Sequence, residues 1–316
     1  MDLHIIHGSN CPDSLRHIAS LSDWLKELFL PNISVFLGRG HFTHMEWKRL
    51  QRFNPPYGWM EVNYNVIKRV ISWLPDQTHL SIHNRSSDPQ CVTCAVVGNG
   101  GILKGSNMGR EIDLHDYIFR GNGAAIKGFE KDVGHRTSFY GFTESTVREC
   151  LRGLTESGFT GIPDEQETHY IHLPESATDY HWLHNLLASK DIYPGVTNGD
   201  HVINIFADKL DKLFVLHPDF MRYIKSRFFK SENLKGPRWC LYRPSIGATL
   251  LMTALHVCDK VNAYGFMTEN YDQFSGYYYD RVKKPLRFSK DHDFFLERDL
   301  WRKLDSLQVI RLYRRT

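Results

Sequence analysis

The stretch that decides the fold is Cys94-Ala-Val-Val-Gly-Asn-Gly-Gly-Ile-Leu103. Its apolar run at 95–97 is short and contains two β-branched valines, which is typical of a buried strand. Glycines directly after a strand permit a tight turn and also let backbone N–H groups approach a phosphate. The stretch therefore predicts a strand followed by a turn, and leaves phosphate binding and simple turn formation equally open.

Outward from this stretch, short apolar runs alternate with segments of helical spacing. Further strands are predicted at 117–119, 138–140, 170–172, 214–216, 261–264 and 309–313. Helices are predicted at 23–29, 62–74, 248–258 and 294–304. Strands separated by helices predict an α/β fold with a largely parallel central sheet. We expect residues 1–90 to form a helical N-terminal cap and 91–316 the core, together making one structural domain.

The composition excludes several classes of protein. The 316 residues are 41% hydrophobic and 24% charged, which is ordinary for a soluble globular chain. A net charge of +3 is too small to indicate nucleic acid as a partner. No stretch approaches the roughly 20 apolar residues of a membrane helix. Two N-glycosylation sequons begin at Asn32 and Asn84, and they favour a secretory compartment.

Two familiar phosphate-binding patterns fail in the glycine-rich stretch. Leu103 occupies the position of the third glycine of a dinucleotide fingerprint. A Walker A loop would need a lysine where Ser106 follows Gly105. Any nucleotide site here must therefore be of another kind.

The segment Asp291-His-Asp-Phe-Phe-Leu-Glu297 offers a candidate base. Asp293 is a plausible N-cap, which places His292 just outside a helix, near its positive end. That end disfavours imidazolium, so His292 would stay neutral and able to accept a proton. A rival interpretation takes Asp291-x-Asp293 as the metal-binding pair of a metal-dependent glycosyltransferase.

A third segment, Arg243-Pro-Ser-Ile-Gly247, precedes an apolar helix. Ser245 can cap that helix, and the N–H groups of the first turn suit an anion. A well-capped core helix explains the same residues without a ligand.

Together these segments resemble the sialylmotifs of the animal sialyltransferase family. The large motif corresponds to residues 94–122 and the small motif to residues 242–266. Gly276-Tyr-Tyr-Tyr-Asp280 corresponds to the third motif, and His292 with Glu297 to the His-x4-Glu motif. Phe53-Asn-Pro-Pro-Tyr-Gly58 and Ser138-Phe-Tyr-Gly-Phe142 resemble the branch that acts on α-linked GalNAc, type I more closely than type II.

The resemblance implies a Rossmann-like α/β/α sandwich, a GT-A-like variant, that transfers sialic acid from CMP-sialic acid to the 6-hydroxyl of O-linked GalNAc on glycoproteins. It implies an inverting single displacement without a metal or other cofactor, with His292 as general base. The donor-binding residues that it implies are Asn99, Asn122, His217, Ser245, Ile246, Gly247, Gly265 and Tyr277. It also implies the disulfides Cys94–Cys258 and Cys11–Cys91, and leaves Cys150 and Cys240 unassigned.

The family is anchored in the Golgi membrane by an N-terminal segment and faces the lumen. We therefore expect this chain to be the luminal catalytic part of a longer type II membrane protein.

Two positions depart from the family pattern. Tyr277 stands where a histidine is usual, and Ile246 stands where a threonine is common. Transfer to galactose or to sialic acid, and a non-catalytic protein that binds the donor or a glycan, remain alternatives.

Overall fold

The computed structural model describes residues 11–12, 14–74, 91–189, 201–237 and 239–315. The strands are β1 (Thr93–Val97), β2 (Tyr117–Gly121), β3 (Phe139–Phe142), β4 (His169–His172), β5 (Leu213–Val215), β6 (Lys260–Tyr264) and β7 (Ile310–Leu312). They form one sheet in the order β5-β4-β3-β2-β1-β6-β7, and every neighbouring pair is parallel. The predicted α/β fold is confirmed, and each predicted strand overlaps an observed one.

Helices connect and flank these strands. They are α1 (Leu15–Leu21), α2 (Asp23–Leu28), α3 (His44–Leu50), α4 (Tyr64–Trp73), α5 (Gly109–Asp113), α6 (Glu130–Val133), α7 (Glu144–Gly153), α8 (Ala177–Ser189), α9 (His201–Phe206), α10 (Pro218–Arg227), α11 (Ile246–Val257) and α12 (Phe294–Ser306). The four predicted helices correspond to α2, α4, α11 and α12.

The sheet is buried on both faces, which explains why its strands read as short unbroken apolar runs. On one face, Cys94 and Val96 of β1 belong to a core that includes residues of α1, α2, α10, α11 and α12. On the other face, Ala95 and Val97 pack with residues of α5 and α6. Farther along that second face, Tyr140 and Phe142 of β3 pack with residues of α4, α7, α8 and α9.

The strand order places a switch point beside β1. The chain runs from β1 to β2 on one side, and β6 later pairs with the other side of β1. In an open parallel sheet, the connections at such a point diverge and leave a crevice at the carboxyl ends of the strands. Ligands of doubly wound proteins bind in this crevice.

The N-terminal residues extend the core of the sheet. Phe36 forms an antiparallel bridge with Leu216, and the Leu37 N–H donates to the Val215 carbonyl at 2.8 Å. Leu15 and Leu25 are buried in the same cluster as residues of β1 and β2. The described part of the segment 1–90 therefore packs on the core, and the division at residue 90 remains a prediction.

Two disulfides join distant parts of the chain. Cys11 is bonded to Cys91, and Cys94 is bonded to Cys258. Cys150 is a buried thiol and Cys240 an exposed one. Asn32 of the first sequon is exposed, whereas Asn84 lies outside the described residues. Of the helices described, none is long and apolar enough to span a bilayer.

Candidate active site

A cavity of about 500 Å³ opens at the carboxyl ends of β1, β2 and β6, at the switch point of the sheet. Eight of the residues implied by the resemblance line it: Asn99, Asn122, Ser245, Ile246, Gly247, Gly265, Tyr277 and His292. The fold thus brings together, in one cavity, residues that are separated by up to 193 positions along the chain (99 to 292).

His217 is the exception, because it does not line this cavity. It follows β5, which is the fourth strand from β1 in the sheet and so lies roughly 19 Å away at the usual strand spacing. Its ring accepts a hydrogen bond from the Asp219 N–H at 3.0 Å and caps α10. Burial and the neighbouring His41 lower the pKa of His217 to about 4. In this structure its contacts are those of a neutral helix cap, and its part in donor binding remains a prediction.

The glycines after β1 are required by a close approach of two backbones. The Gly98 N–H donates to the Tyr264 carbonyl at 2.8 Å, and the Gly100 N–H donates to the Gly265 carbonyl at 3.0 Å. A Cβ on Gly100 would lie 2.5 Å from the Gly265 oxygen. These two N–H groups are already satisfied, so the turn explanation accounts for both glycines, although both still line the cavity.

Asn99 and Asn122 present unused acceptors. The side-chain oxygens of both are buried and have no hydrogen-bond partner among the described residues. A buried acceptor without a donor costs about 1–3 kcal/mol, so a ligand that supplies N–H or O–H groups would be favoured here. Asn122 also adopts a left-handed backbone with φ of 55°. Its carbonyl accepts a hydrogen bond from the Tyr140 hydroxyl, which holds this conformation.

Ser245 caps α11 as predicted, and a buried carboxyl group holds it in place. Its hydroxyl accepts from the Ala248 N–H at 3.1 Å. Glu297 accepts hydrogen bonds from both the backbone N–H and the hydroxyl of Ser245, each at 2.8 Å. Burial raises the pKa of Glu297 to about 7, and these two hydrogen bonds only partly oppose the shift. The Glu of the His-x4-Glu motif therefore fixes the loop before α11.

His292 is partly buried at the edge of the cavity, two residues before α12. Its Nδ1 lies 2.9 Å from the Arg243 carbonyl oxygen. Because a carbonyl only accepts, Nδ1 carries the proton, and the neutral ring keeps Nε2 as an acceptor. Burial is the main cause that lowers the pKa of His292, and the Arg243 charge adds to it, whereas Asp291 raises it.

The two aspartates of the Asp-x-Asp pattern have separate contacts within the protein. Asp293 caps α12 through the Leu296 N–H at 3.0 Å and accepts from the Ser231 hydroxyl at 2.6 Å. Asp291 forms an ion pair of 3.6 Å with Arg243. Among the described ranges, no group of three or more His, Cys, Asp or Glu side chains could hold a metal ion.

Tyr277 lines the cavity with its ring half-exposed. The ring stacks on Tyr279, with centroids 5.2 Å apart and planes 7° apart. Its backbone N–H donates to Asp280 at 2.9 Å. Burial raises the pKa of Tyr277, so its hydroxyl keeps its proton at neutral pH and can donate a hydrogen bond to an anion.

Several residues of the cavity carried no sequence signal. Glu175 follows β4, and its carboxylate lies 3.0 Å from the Arg243 Nε. Burial raises the pKa of Glu175 although Arg243 opposes this. Ser145, Thr146 and Glu149 of α7 also line the cavity. The order of strands in space brings these residues to the site, and no short motif marks them.

Two helix ends supply positive potential to this cavity. Ser245, Ile246 and Gly247 lie at the start of the 12-residue α11. Phe294 is the first residue of the 13-residue α12, and His292 lies two residues before it. Each helix start carries a partial positive charge. Several carboxyl groups also line the cavity, and they repel an anion. The attraction for an anionic ligand therefore comes from the two helix starts together with Arg243 and Arg287.

Comparison with known proteins shows the family of the chain. Residues 36–309 match the family described as Glycosyltransferase family 29 (sialyltransferase). The chain belongs to this family.

Among its relatives is alpha-N-acetylgalactosaminide alpha-2,6-sialyltransferase 1 of Gallus gallus, 49% identical over 98% of this chain and 56% of the relative. The Homo sapiens protein of the same name is 45% identical over 97% of this chain and 52% of the relative. The type 2 protein of Homo sapiens is 42% identical over 98% of this chain and 83% of the relative. The chain spans little more than half the length of the two type 1 relatives.

A solved structure supports the fold. The crystal structure of a mammalian sialyltransferase in complex with Gal-beta-1-3GalNAc-ortho-nitrophenol is 25% identical to this chain. It aligns with a TM-score of 0.62 over 96% of this chain and 97% of the other.

Proposed function

We propose that this chain transfers sialic acid from CMP-sialic acid to the 6-hydroxyl of O-linked GalNAc on glycoproteins, with inversion at the anomeric carbon and without a metal. The observation that carries the proposal is His292, whose Nδ1 is bonded to the Arg243 carbonyl and whose Nε2 is left as an acceptor beside the cavity. A neutral imidazole in this state has the property that a general base needs.

The reaction is a single displacement. The GalNAc O6 attacks the anomeric carbon of sialic acid as the bond from that carbon to the phosphate oxygen of CMP breaks. His292 Nε2 takes the proton of the attacking hydroxyl, and the electron pair of the broken bond leaves with CMP. The two helix starts and the Tyr277 hydroxyl supply the charge and the hydrogen bond that stabilise the leaving phosphate.

Binding of the nucleotide would engage the unpaired oxygens of Asn99 and Asn122. CMP has an exocyclic amine and ribose hydroxyls that can donate to them. The sialic acid carboxylate and the phosphate are both anions, and both suit the start of α11.

The acceptor assignment rests on the relatives. The α-N-acetylgalactosaminide α-2,6-sialyltransferases are 41–49% identical to this chain. The relatives whose names give a β-galactosamide α-2,3 activity are 28–29% identical. We also propose the Golgi lumen as the location, because the two disulfides and the exposed Asn32 suit an oxidising secretory compartment.

The test is transfer from CMP-sialic acid to a GalNAc-threonine peptide in EDTA, with linkage analysis of the product. An α-2,6-linked product at full rate supports the donor, the acceptor and metal independence together. Loss of activity in EDTA that Mn²⁺ restores would instead favour the Asp291-x-Asp293 metal site. Transfer only to galactose-terminated or sialylated glycans would overturn the acceptor assignment.

A further inference from the structure

Three aromatic rings form a cluster at the rim of the cavity: the partly exposed Tyr271 and the exposed Phe288 and Phe295, here called the aromatic platform. Phe288 and Phe295 stack with ring centroids 5.1 Å apart, and Tyr271 meets them edge-on at 5.9 and 6.0 Å. Phe288 is 46% exposed and Phe295 is 44% exposed. The Arg298 guanidinium lies over Phe295, 5.2 Å from its centroid. Large aromatic side chains that stay exposed together mark an interaction surface.

The aromatic platform is continuous with the cavity. Tyr271 lines both, and the Phe294 ring contacts Phe288 at 6.0 Å and His292 at 5.7 Å. One aromatic ring therefore separates the platform from the proposed base. An acceptor whose hydroxyl lies at His292 therefore has the platform within reach of its remaining part.

A basic segment adjoins the aromatic platform. Residues 281–290 contain Arg281, Lys283, Lys284, Arg287 and Lys290 and no acidic residue, and all five side chains are exposed. In the described part of the chain, no carboxylate forms an ion pair with Lys283, Lys284 or Lys290. The segment thus gives the rim of the cavity a positive charge that suits a neutral or acidic chain.

We propose that the aromatic platform binds the peptide of a glycopeptide acceptor, as an extended segment that flanks the GalNAc-bearing residue. This inference rests on the proposed function. When the GalNAc 6-hydroxyl lies at His292, the glycosidic oxygen and its peptide point away from the reacting atom. Extended peptides rich in proline dock on aromatic surfaces, because proline is already ordered and its ring packs against an aromatic face.

The experiment compares two acceptors that differ only in their peptide. One is a fluorescent nine-residue peptide with a single GalNAc-threonine between prolines, and the other is GalNAc-threonine alone. In Phe288→Ala/Phe295→Ala, we expect the KM for the glycopeptide to rise about tenfold with kcat nearly unchanged. The kcat/KM for GalNAc-threonine and the affinity for CMP should not change, because neither phenylalanine lines the cavity.

Two matched variants make the result specific. Phe288→Tyr/Phe295→Tyr keeps both rings and should restore the glycopeptide KM to within about twofold of the unaltered protein. Leu114→Ala removes another exposed apolar side chain, which is 74% exposed and lies shortly before β2, at the amino ends of the strands and opposite the cavity. It should change neither KM.

A peptide flanked by aspartates should bind more tightly than one flanked by lysines, and high salt should reduce the difference.

Fluorescence anisotropy of the labelled glycopeptide, with CMP present, measures acceptor binding without transfer. It therefore tests the platform proposal separately from the proposed function. If the protein transfers sialic acid to GalNAc-threonine and the double alanine variant keeps the KM for the glycopeptide, the platform proposal is wrong and the proposed activity stands. If transfer fails but the glycopeptide binds and the variant weakens binding about tenfold, the platform stands and the activity is wrong. If the glycopeptide does not bind, or if the variant changes only the oligomeric state, the platform proposal is overturned.

Discussion

At the scale of single residues, burial is the first cause that lowers the pKa of His292 and so keeps its ring neutral. The sequence predicts a neutral histidine from the start of α12. In the structure, desolvation is the first cause of its lowered pKa, and the Arg243 charge acts in the same direction. The Asp291 carboxylate is the charge that opposes both. Its removal therefore offers a way to move the titration of the base.

We expect kcat/KM to rise with pH through one ionisation below the ordinary histidine value of about 6.5. A lowered pKa keeps the base deprotonated to lower pH, so activity should persist there. Asp291→Asn removes a charge that raises this pKa and should shift the acid limb further down. The measurement is a pH profile of kcat/KM on the glycopeptide.

His292→Ala provides the comparison for that profile. It should lower kcat by about 10²–10⁴ and abolish the acid limb, while His17→Ala, an exposed histidine on α1, should change neither. An Asp291→Asn profile that moves to higher pH would show that His292 is not the titrating base.

Glu297 offers a prediction about stability. Its pKa is raised from 4.5 to about 7 in the folded protein, so the folded state binds the proton more tightly than the unfolded state. Its contribution to stability is therefore fully present below about pH 4.5 and is lost as the pH rises to about 7. In Glu297→Gln, which cannot ionise, the free energy of unfolding relative to the unaltered protein should increase by about 1–3 kcal/mol between pH 5 and pH 8.

The difference in unfolding free energy between the two proteins isolates this residue from all other titrating groups. Glu27→Gln, an exposed glutamate on α2, serves as the control and should show no such trend. A difference between Glu297→Gln and the unaltered protein that stays constant from pH 5 to pH 8 would mean that folding does not raise the pKa of Glu297.

Sequence reasoning found the cavity residues that lie within motifs and missed those that only the fold brings together. Ser245 and Asp293 are predicted caps because a helix start has a local signal, and both caps form. Glu175 and Arg243 meet across 68 positions of sequence (175 to 243), which no local pattern records. His217 is expected at the site from its motif alone; it follows β5, which lies four places from β1 in the sheet, and its part in donor binding stays a prediction.

At the scale of elements, the turn after β6 has no room for a side chain. Gly265 has a φ of +71°, and a Cβ there would lie 2.5 Å from the Gly98 oxygen and 2.7 Å from a Leu103 methyl group. We expect Gly265→Ala to displace the turn after β1, to lower the free energy of unfolding by more than about 2 kcal/mol, and to abolish CMP binding.

Gly105→Ala is a matched control for this prediction. Gly105 has nearly the same φ of +70°, but nothing lies within 4 Å of its Cβ position. Gly105→Ala therefore introduces only the backbone strain, which should lower the free energy of unfolding by about 1 kcal/mol. This variant should bind CMP normally. Equal effects of the two substitutions on unfolding and CMP binding would show that the approach to Gly98 has no part in the site.

The strands were easier to predict than the helices for a physical reason. Both faces of the parallel sheet are covered, so each strand is a short apolar run bounded by polar residues. The helix α8 is buried through Tyr180, Trp182, Leu183 and Leu187, and even Asp179 is buried. Such a helix has no clean polar face, and its bounds cannot be predicted from a period of 3.6 residues.

At the scale of the whole molecule, the Cys94–Cys258 disulfide and the cavity lie at opposite ends of β1. Cys94 pairs with Tyr117 and Val261 near the amino ends of the central strands, whereas the cavity lies at their carboxyl ends. The bridge joins residues 164 positions apart. It thus constrains a long loop of the unfolded chain and contacts no residue of the proposed reaction.

We therefore expect Cys94→Ala/Cys258→Ala to separate stability from activity. Because the bridge limits the conformational entropy of the unfolded chain, loss of the bridge should lower the free energy of unfolding by about 3–5 kcal/mol and the Tm by about 5–10 °C. The parallel pairing of β1 with β6 remains, so kcat and the KM for CMP-sialic acid at 25 °C should stay within about twofold. Calorimetry and initial rates measure the two quantities on the same preparation. The contrary result is a large fall in kcat at a temperature where the variant is folded. It would show that the positions of the carboxyl ends of β1 and β6 depend on this bridge, and that strand pairing alone does not hold the cavity in place.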